Sequence, residues 1–205
     1  CAPKHLFYVL TKRPARAVEF ARWIESDQNE HRQSGFTIGD RCTAMALDRL
    51  YETFPNATPT KTPWASTNSL LRKTHTRWPL PNVAFGVTVE DRRYGVPRLD
   101  LARKFPARYR WASVEPLLED LADVDFSGFD LVVGGGEAGD GARPFDLQWA
   151  RNVRDAARKA GSRFFMKQLG DNVVENGVPL EFGRKGNVFE RFPVDLRIRE
   201  NLPMP

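Results

Sequence analysis

The chain has 205 residues, of which 41% are hydrophobic, 28% charged and 11% aromatic. This composition is ordinary for a globular protein and supplies enough apolar side chains for a core. The sequence has no run of about 18 apolar residues, which excludes a membrane-spanning helix. The net charge of +5 permits contact with nucleic acid but does not require it, because a modest basic excess also serves solubility.

The sequence holds two cysteines, Cys1 and Cys42. Two cysteines cannot form a disulfide framework or a four-cysteine metal site, and no histidine spacing suggests a metal site either. The expected compartment is therefore the reducing cytoplasm. The chain opens at Cys1 and enters an apolar run within five residues. We therefore expect residues 1–205 to be one α/β domain that forms the later part of a longer protein.

Five short apolar runs, each bounded by turn residues, predict β-strands. They cover residues 6–10, 83–89, 109–114, 131–133 and 164–166. Most of these runs are continuously apolar and do not alternate with polar residues. This pattern is typical of strands that are buried on both faces of a parallel sheet.

Helical periodicity fills several gaps between these strands. Pro14 suits the first position of a helix, and one apolar face follows it. That face consists of Val18, Ala21 and Ile24. Two further helices are predicted over residues 41–54 and 99–105.

The clearest helical pattern begins near Asp146, a favoured N-cap residue, and stops at Gly161, a residue type favoured just past a helix end. Its apolar positions are Trp149, Ala150, Val153 and Ala157. Strands and helices thus alternate along the chain, which predicts parallel strand pairing with right-handed crossovers.

Two segments interrupt this alternation. Residues 55–82 contain five prolines among many Ser, Thr and Asn residues, and we expect an inserted mobile loop there. Residues 171–205 are predicted to form an irregular C-terminal extension that could contain a hairpin.

Polar residues follow each predicted strand. In parallel α/β proteins the carboxyl ends of the strands meet on one face, where ligands bind, so we expect a shared site there. The candidate residues are Lys12, Arg13, Asp91, Glu115, Gly134, Gly135, Gly136, Glu137, Lys167 and Gln168. The alternative for any one of them is that strand ends are simply where charges reach solvent.

Residues 134–139 read G-x-G-x-x-G, the spacing of a dinucleotide-binding loop. Pro144, however, delays the following helix to about Asp146, and no acidic residue ends a second strand about twenty positions on, which argues against that site. We expect the glycines to let backbone approach a ligand closely while Glu137 binds an amino or hydroxyl group. The alternative is a tight turn that needs a positive φ.

The sequence leaves two possible roles open for the candidate lysine and for the two candidate arginines. Lys167 follows an apolar strand, which could lower its pKa for Schiff-base chemistry, but pairing with Glu115 or Glu137 is the favoured interpretation. Arg13 and Arg143 could bind a carboxylate or phosphate through both guanidinium nitrogens, or tie strand ends to neighbouring loops.

Five sequence blocks occur in order along the chain. They are VLTKRPARA at 9–17, NVAFGVTVED at 82–91, WASVEPLLEDL at 111–121, DLVVGGGEAGDGARPFDLQWARNVRDAARKAG at 130–161 and FFMKQLGD at 164–171. Together these blocks resemble an uncharacterised family of phage and prophage proteins that is grouped with radical-SAM enzymes. The resemblance covers most of the chain outside the inserted loop and the tail.

This resemblance implies an incomplete (β/α) barrel with mostly parallel strands, similar to radical-SAM and TIM barrels. It also implies three closely spaced cysteines ahead of the present region, which would bind a [4Fe–4S] cluster and leave one iron for S-adenosylmethionine. Cys1 stands alone and does not supply that spacing. A missing N-terminal part or a second chain would have to provide it.

Within such a barrel, the positions on the strands suggest roles for the candidate residues. Gly134, Gly135, Gly136 and Glu137 would contact the methionine moiety of the cofactor. Glu115, Asp91 and Lys167 are the candidate catalytic residues. The candidate substrate ligands, which would face an anionic group, are Lys12, Arg13, Arg143 and Gln168.

The leading hypothesis is a phage-type radical-SAM-like enzyme of unknown substrate that acts on nucleic acid. A second hypothesis is a non-catalytic module that binds nucleic acid or a host protein. Its contact residues would be Arg13, Arg72, Lys73, Arg77, Arg92 and Arg93. A third is a lyase that uses Lys167 as a Schiff-base amine.

Overall fold

The computed structural model of the protein describes residues 4–31 and 79–203. These residues form β1 (Phe7–Thr11), α1 (Pro14–His31), β2 (Val83–Thr88), α2 (Pro97–Arg103), β3 (Tyr109–Val114), β4 (Leu131–Gly135), β5 (Phe145–Asp146), α3 (Leu147–Lys159), β6 (Arg163–Gln168), β7 (Val173–Glu175) and β8 (Val178–Leu180). Short 3₁₀ helices follow at Arg184–Gly186, Phe189–Arg191 and Val194–Leu196. No helix in these two stretches is long and apolar enough to cross a membrane.

Five strands form one parallel sheet in the order β1-β2-β3-β4-β6. The predicted α/β class and the parallel sheet are therefore confirmed. All five predicted strands are present, and β3 has the bounds that its apolar run indicated. The strand order in space follows the order along the chain.

The two faces of the sheet differ in what covers them. One face packs on α1, α2 and α3, and this larger core includes Phe85, Val114 and Phe164. We call the opposite side the open face. Alternation along the strands places on it Tyr8, Leu10, Ala84, Gly86, Trp111, Leu131, Val133 and Phe165, several of which form a smaller cluster around the buried Leu202.

The first helix forms where its sequence pattern predicted. Pro14 is the first residue of α1. A backbone N–H at this position would have no acceptor within the helix, so proline costs no hydrogen bond there. Val18, Ala21 and Ile24 are buried, which confirms the predicted apolar face.

The caps of α3 also follow the predicted signals. The Asp146 carboxylate accepts a hydrogen bond from the Gln148 backbone N–H at 2.8 Å. At the other end, Gly161 has a φ of +77°, a value that an L side chain would resist. The Gly161 and Ser162 N–H groups donate to the carbonyls of Arg158 and Ala157, which is the Schellman pattern.

Some predictions differ from the structure or lie beyond it. The third predicted helix begins two residues earlier, because Pro97 starts α2. The strand β5 was not predicted. The predicted helix at 41–54, the inserted loop up to residue 78, and both cysteines lie outside the described residues.

The C-terminal extension contains the hairpin that its sequence allowed. The strands β7 and β8 pair antiparallel around Asn176 and Gly177, which both have positive φ values, as a two-residue type I′ turn requires. Together with β5 they form a second, three-stranded sheet.

Beyond the hairpin, the chain returns to the main sheet. The Met166 N–H donates to the Ile198 carbonyl at 2.8 Å, and the Glu200 N–H donates to the Phe164 carbonyl at 3.1 Å. These bonds place the tail antiparallel along the outer edge of β6.

Candidate functional site

The register of the main sheet brings all five strand ends to one side. Thr11 pairs with Val87, Thr88 with Ser113, and Val114 with Gly134, and β6 ends beside β4. The residues that follow the strands therefore lie along a single border of the sheet, which we call the carboxyl edge. Ligands of parallel α/β proteins bind at such edges.

Side-chain alternation decides which of these residues continue the open face. On β2 the open-face positions are Ala84, Gly86 and Thr88, and Glu90 continues that series. The same alternation places Glu115 after Trp111 on β3, and Lys167 after Phe165 on β6. These three charged residues stand at the end of the open face.

Glu90 is the buried centre of an ion-pair cluster. Its side chain is 9% exposed and contacts Lys12 Nζ at 2.5 Å and Arg98 Nη1 at 2.6 Å. Arg98 also donates to the Thr88 hydroxyl at 2.9 Å. Burial works to raise the pKa of the Glu90 carboxyl, but hydrogen bonds from Lys12 and Arg98 outweigh it and lower this pKa to about 2.

Glu115 and Lys167 meet across an intervening strand. The Lys167 Nζ lies 3.0 Å from the Glu115 carboxylate, although β4 separates β3 from β6. Gly135 of β4 leaves room for this contact, because a Cβ atom there would lie a tight 3.2 Å from the Glu115 side chain. Lys167 therefore forms the ion pair that one interpretation of the sequence had predicted.

Glu137 and Arg143 form the third charged pair. The guanidinium donates to both carboxylate oxygens, at 2.7 and 2.8 Å, and the Arg143 backbone N–H donates to the same carboxylate at 2.9 Å. These bonds hold the pKa of Glu137 at about 2. Arg143 therefore ties its own loop to the strand end, and the Glu137 carboxylate is fully engaged within the chain.

The three glycines before Glu137 serve the packing of the chain. A Cβ at Gly134 would lie 3.2 Å from the Phe164 ring in the larger core, and a Cβ at Gly136 would lie 2.1 Å from the Leu169 carbonyl oxygen. Gly136 exchanges hydrogen bonds with Gln168 through its N–H and its carbonyl. We expected the backbone of these glycines to approach a ligand closely. In the structure, the backbone of Gly136 approaches Gln168 of β6 and Leu169, the residue after β6.

The interpretation of these glycines as a turn with positive φ is wrong for residues 134–136. Gly139, the last glycine of the motif, does have a positive φ, which confirms the turn interpretation at that position, and Gly141 has one as well. The assignment of Gly134, Gly135, Gly136 and Glu137 to a cofactor remains a prediction.

Asp91 and Arg13 lie at the same edge but have different surroundings. The Asp91 carboxylate accepts hydrogen bonds from the Tyr94 and Gly95 N–H groups, at 2.5 and 3.2 Å, so it stabilises the turn before α2. Arg13 donates its backbone N–H to the Thr11 hydroxyl. Within the described residues its guanidinium forms no ion pair.

The three charged pairs share one arrangement, in which the carboxylate is the more buried partner. The side-chain exposures are 65% for Lys12 against 9% for Glu90, 55% for Lys167 against 16% for Glu115, and 55% for Arg143 against 29% for Glu137. In each pair a buried or half-buried carboxylate therefore holds a cation that is more than half exposed. The exposed cations can be contacted from the solvent side, and of the three groups only the one around Glu90, with Lys12 and Arg98, has a net positive charge.

The geometry bears on two further sequence-based hypotheses. A Schiff-base lysine is activated by apolar burial, whereas Lys167 is exposed and paired. Of the proposed nucleic-acid contacts, Arg92 is held by Asp123 and by the Asp120 carbonyl, and residues 72, 73 and 77 lie outside the described residues.

Other features of the described residues lie away from this edge or do not bear on it. A cavity of about 210 Å³ lies on the helix side, where its apolar lining includes Val9, Phe20, Phe85 and Phe105. Within residues 4–31 and 79–203, no three His, Cys, Asp or Glu side chains are grouped to hold a metal ion.

The sequence interpretation missed the most buried charged residue of the edge. It selected Asp91 after β2. Glu90, however, is the residue that lies in alternation with Ala84, Gly86 and Thr88 on the open face, and it pairs with Lys12. It also omitted Arg98, which reaches the edge from α2. Counting residues in steps of two from the middle of β2 would have found Glu90, whereas Arg98 depends on how α2 packs.

The comparisons with known proteins identify the family. The family model with the description "Protein of unknown function (DUF5131)" matches residues 1–193. No curated protein and no solved structure matches the chain. The match extends over both stretches of described residues up to residue 193, so it includes the whole carboxyl edge. The chain therefore belongs to the DUF5131 family, an uncharacterised family, as the sequence blocks had indicated.

Proposed function

We propose that this chain is the five-stranded part of a phage-type (β/α)-barrel enzyme of the radical-SAM class, with its active site at the carboxyl edge and an anionic substrate. The strand order supports the barrel, because β1-β2-β3-β4-β6 runs in one direction without the reversal of doubly wound sheets. The described helices also cover a single face, as they do in singly wound barrels.

The observation that carries the proposal is the set of cation–carboxylate pairs at this edge. Glu90, Glu115 and Glu137 follow three different strands, and each positions a cation whose outer surface faces solvent. Charges brought together from separate strand ends are how barrel folds assemble active sites. The phage origin and the radical-SAM class come from the sequence resemblance alone.

In this proposal the residues of the edge have distinct tasks. Lys12 and Arg13 bind the anionic part of the substrate, and Glu90 orients Lys12 through their 2.5 Å contact. Lys167 carries a proton at Nζ that it can share with Glu115 or donate to a bound oxygen atom, since the two groups lie 3.0 Å apart. Arg143 and Glu137 keep the loop after β4 in place.

The iron–sulfur cluster of the radical-SAM class does not fit the cysteines of this chain. Such a cluster needs three thiolates, and the 205 residues contain two cysteines, far apart in sequence. We therefore assign no residue here to cluster binding and derive no step through it. If a cysteine segment from outside these residues held the cluster, S-adenosylmethionine bound to it would supply the radical.

The test uses the protein encoded by the complete gene, reconstituted anaerobically with iron and sulfide. We expect bound iron and binding of S-adenosylmethionine, measured by iron analysis and equilibrium dialysis. The substitutions Glu115→Gln and Lys167→Met should slow S-adenosylmethionine cleavage at least tenfold at unchanged iron content, whereas Glu181→Gln in the tail should have no effect. A complete protein that binds neither iron nor S-adenosylmethionine would falsify the radical-SAM class.

A further inference from the structure

The edge strand β1 is exposed on both faces, at Phe7 and Val9 on the helix side and at Tyr8 and Leu10 on the open face. Tyr8 is 43% exposed and Leu10 is 45% exposed, although both belong to a parallel sheet. Strands of parallel sheets are normally covered on both faces. An exposed apolar surface of this kind marks a place where another molecule binds.

Trp111 extends this surface into an aromatic shelf. Its indole meets the Tyr8 ring edge to face, with centroids 5.5 Å apart and an angle of 80° between the planes. The indole lies directly against the backbone of β2, where a Cβ at Gly86 would come within 2.3 Å of it. The shelf therefore consists of Tyr8, Leu10 and Trp111, and Gly86 lets the indole lie flat.

Positive charge stands at the carboxyl end of the same strand. Lys12 and Arg98 share the single carboxylate of Glu90, so this group keeps a net positive charge. Arg13 adds a guanidinium that has no ion pair within the described residues. Asp91 lies nearby, and its carboxylate is occupied by backbone N–H groups.

The shelf and the charge are ordered along one strand. Tyr8, Leu10 and Lys12 are two residues apart, which spaces them by about 7 Å along the strand. An aromatic surface followed by cations is complementary to an aromatic base followed by a phosphate. Base stacking on aromatic side chains beside a basic groove is the common way in which proteins bind single-stranded nucleic acid.

We propose that the open face of β1 binds a nucleotide unit, with its base against Tyr8 and Trp111 and its phosphate at Lys12 and Arg13. The unit belongs to a single strand of nucleic acid, for which stacking beside a basic groove is the common binding mode. A free nucleotide, which has the same ring and phosphate, is the other outcome of the test. This inference rests on the proposed function in that it names the substrate class of the same edge. Its test needs neither iron nor turnover.

The test measures binding of a fluorescein-labelled oligothymidylate by fluorescence polarisation, and of thymidine 5′-monophosphate by calorimetry. Tyr8→Ala should weaken binding at least tenfold, which is the scale expected for loss of one base–aromatic stack. Tyr8→Phe keeps the ring and should bind as the unchanged protein does. The matched control is Phe7→Ala, because Phe7 is equally exposed on β1 but points to the other face.

The phosphate contact has its own test. Arg13→Ala should lower the slope of log affinity against log salt by about one, as loss of one phosphate contact does. Lys159→Ala, at the exposed end of α3, should leave the slope unchanged. Thermal unfolding measured by circular dichroism should show that all these variants keep their fold.

The two probes distinguish the sources of the nucleotide unit. Much tighter binding of the oligonucleotide indicates a single strand, and similar affinities per molecule indicate a free nucleotide. The inference is overturned if neither probe binds at low salt, or if Phe7→Ala weakens binding as much as Tyr8→Ala. A protein that binds nucleotide but no iron would retain this inference and lose the radical-SAM class.

Discussion

Glu90 shows how one buried carboxylate can organise the end of a sheet. Its burial alone would favour the protonated form, yet two cations keep it ionised, and its pKa falls to about 2. Because the folded state lowers this pKa, ionised Glu90 stabilises the fold above the pKa of the unfolded chain. That contribution disappears as the pH falls toward 2.

The first prediction concerns the substitution Glu90→Gln. A pKa that falls from 4.5 to about 2 corresponds to at most about 3 kcal/mol of stability at neutral pH, since solvent screens the interaction with the exposed Lys12. We expect the free energy of unfolding of the unchanged protein to decline between about pH 5 and pH 2 more steeply than that of the variant, so that the two curves converge in acid. Urea unfolding across this pH range measures the effect.

The exposed Glu181 provides the control for this experiment. The Glu181→Gln variant should follow the curve of the unchanged protein over the whole pH range. Parallel curves for Glu90→Gln and the unchanged protein would show that the ion pairs of Glu90 contribute no pH-dependent stability.

At the scale of the elements, contacts between neighbouring strands depend on positions without a side chain. The indole of Trp111 on β3 occupies the space above Gly86 on β2. The indole nitrogen is buried and has no hydrogen-bond partner among the described residues, a cost that the packing of the ring must outweigh. The pairing of β2 and β3 therefore includes a fitted contact between one glycine and one large ring.

The second prediction tests this contact with a double-mutant cycle. Gly86→Ala should reduce the free energy of unfolding by about 1–3 kcal/mol, because the new methyl group overlaps the indole. In a Trp111→Leu background the same substitution should cost less than about 1 kcal/mol, since the ring is gone. Urea unfolding of the four proteins measures the coupling, and an equal cost in both backgrounds would disprove the contact.

The elements themselves could largely be predicted. The five strands of the main sheet were found because each is a short, continuously apolar run, and α3 was found because Asp146 and Gly161 mark its ends. The strand β5 was missed because two residues carry no periodic pattern. Its pairing with β7 depends on contacts between distant parts of the chain.

At the scale of the whole molecule, the C-terminal tail pairs with the sheet edge formed by β6. It does not reach the opposite edge, which is formed by β1. Residues 198–200 pair with β6 and cover its outer hydrogen-bonding groups. Leu202 then packs at the open face near Ala84 and Leu131. Covered edges protect a sheet from pairing with other chains.

The third prediction is that the tail contributes to global stability. Leu202 is buried, so Leu202→Ala should lower the free energy of unfolding by about 2–4 kcal/mol. Val194→Ala removes a similar apolar volume at an exposed position and should change it by less than about 0.5 kcal/mol. Urea unfolding compares the two, and equal effects would mean that the tail does not anchor on the sheet.

Local patterns were sufficient to predict the strands and the helix caps, because each depends on residues that are close together in the sequence. They also indicated that polar residues end every strand of the sheet. Which of those residues meet is a different matter, since Glu115 reaches Lys167 across 52 positions of sequence and over a strand that offers no side chain at Gly135. Pairings of that kind, like the choice of Glu90 over Asp91, follow from register and side-chain direction, which the chain acquires only when the strands assemble.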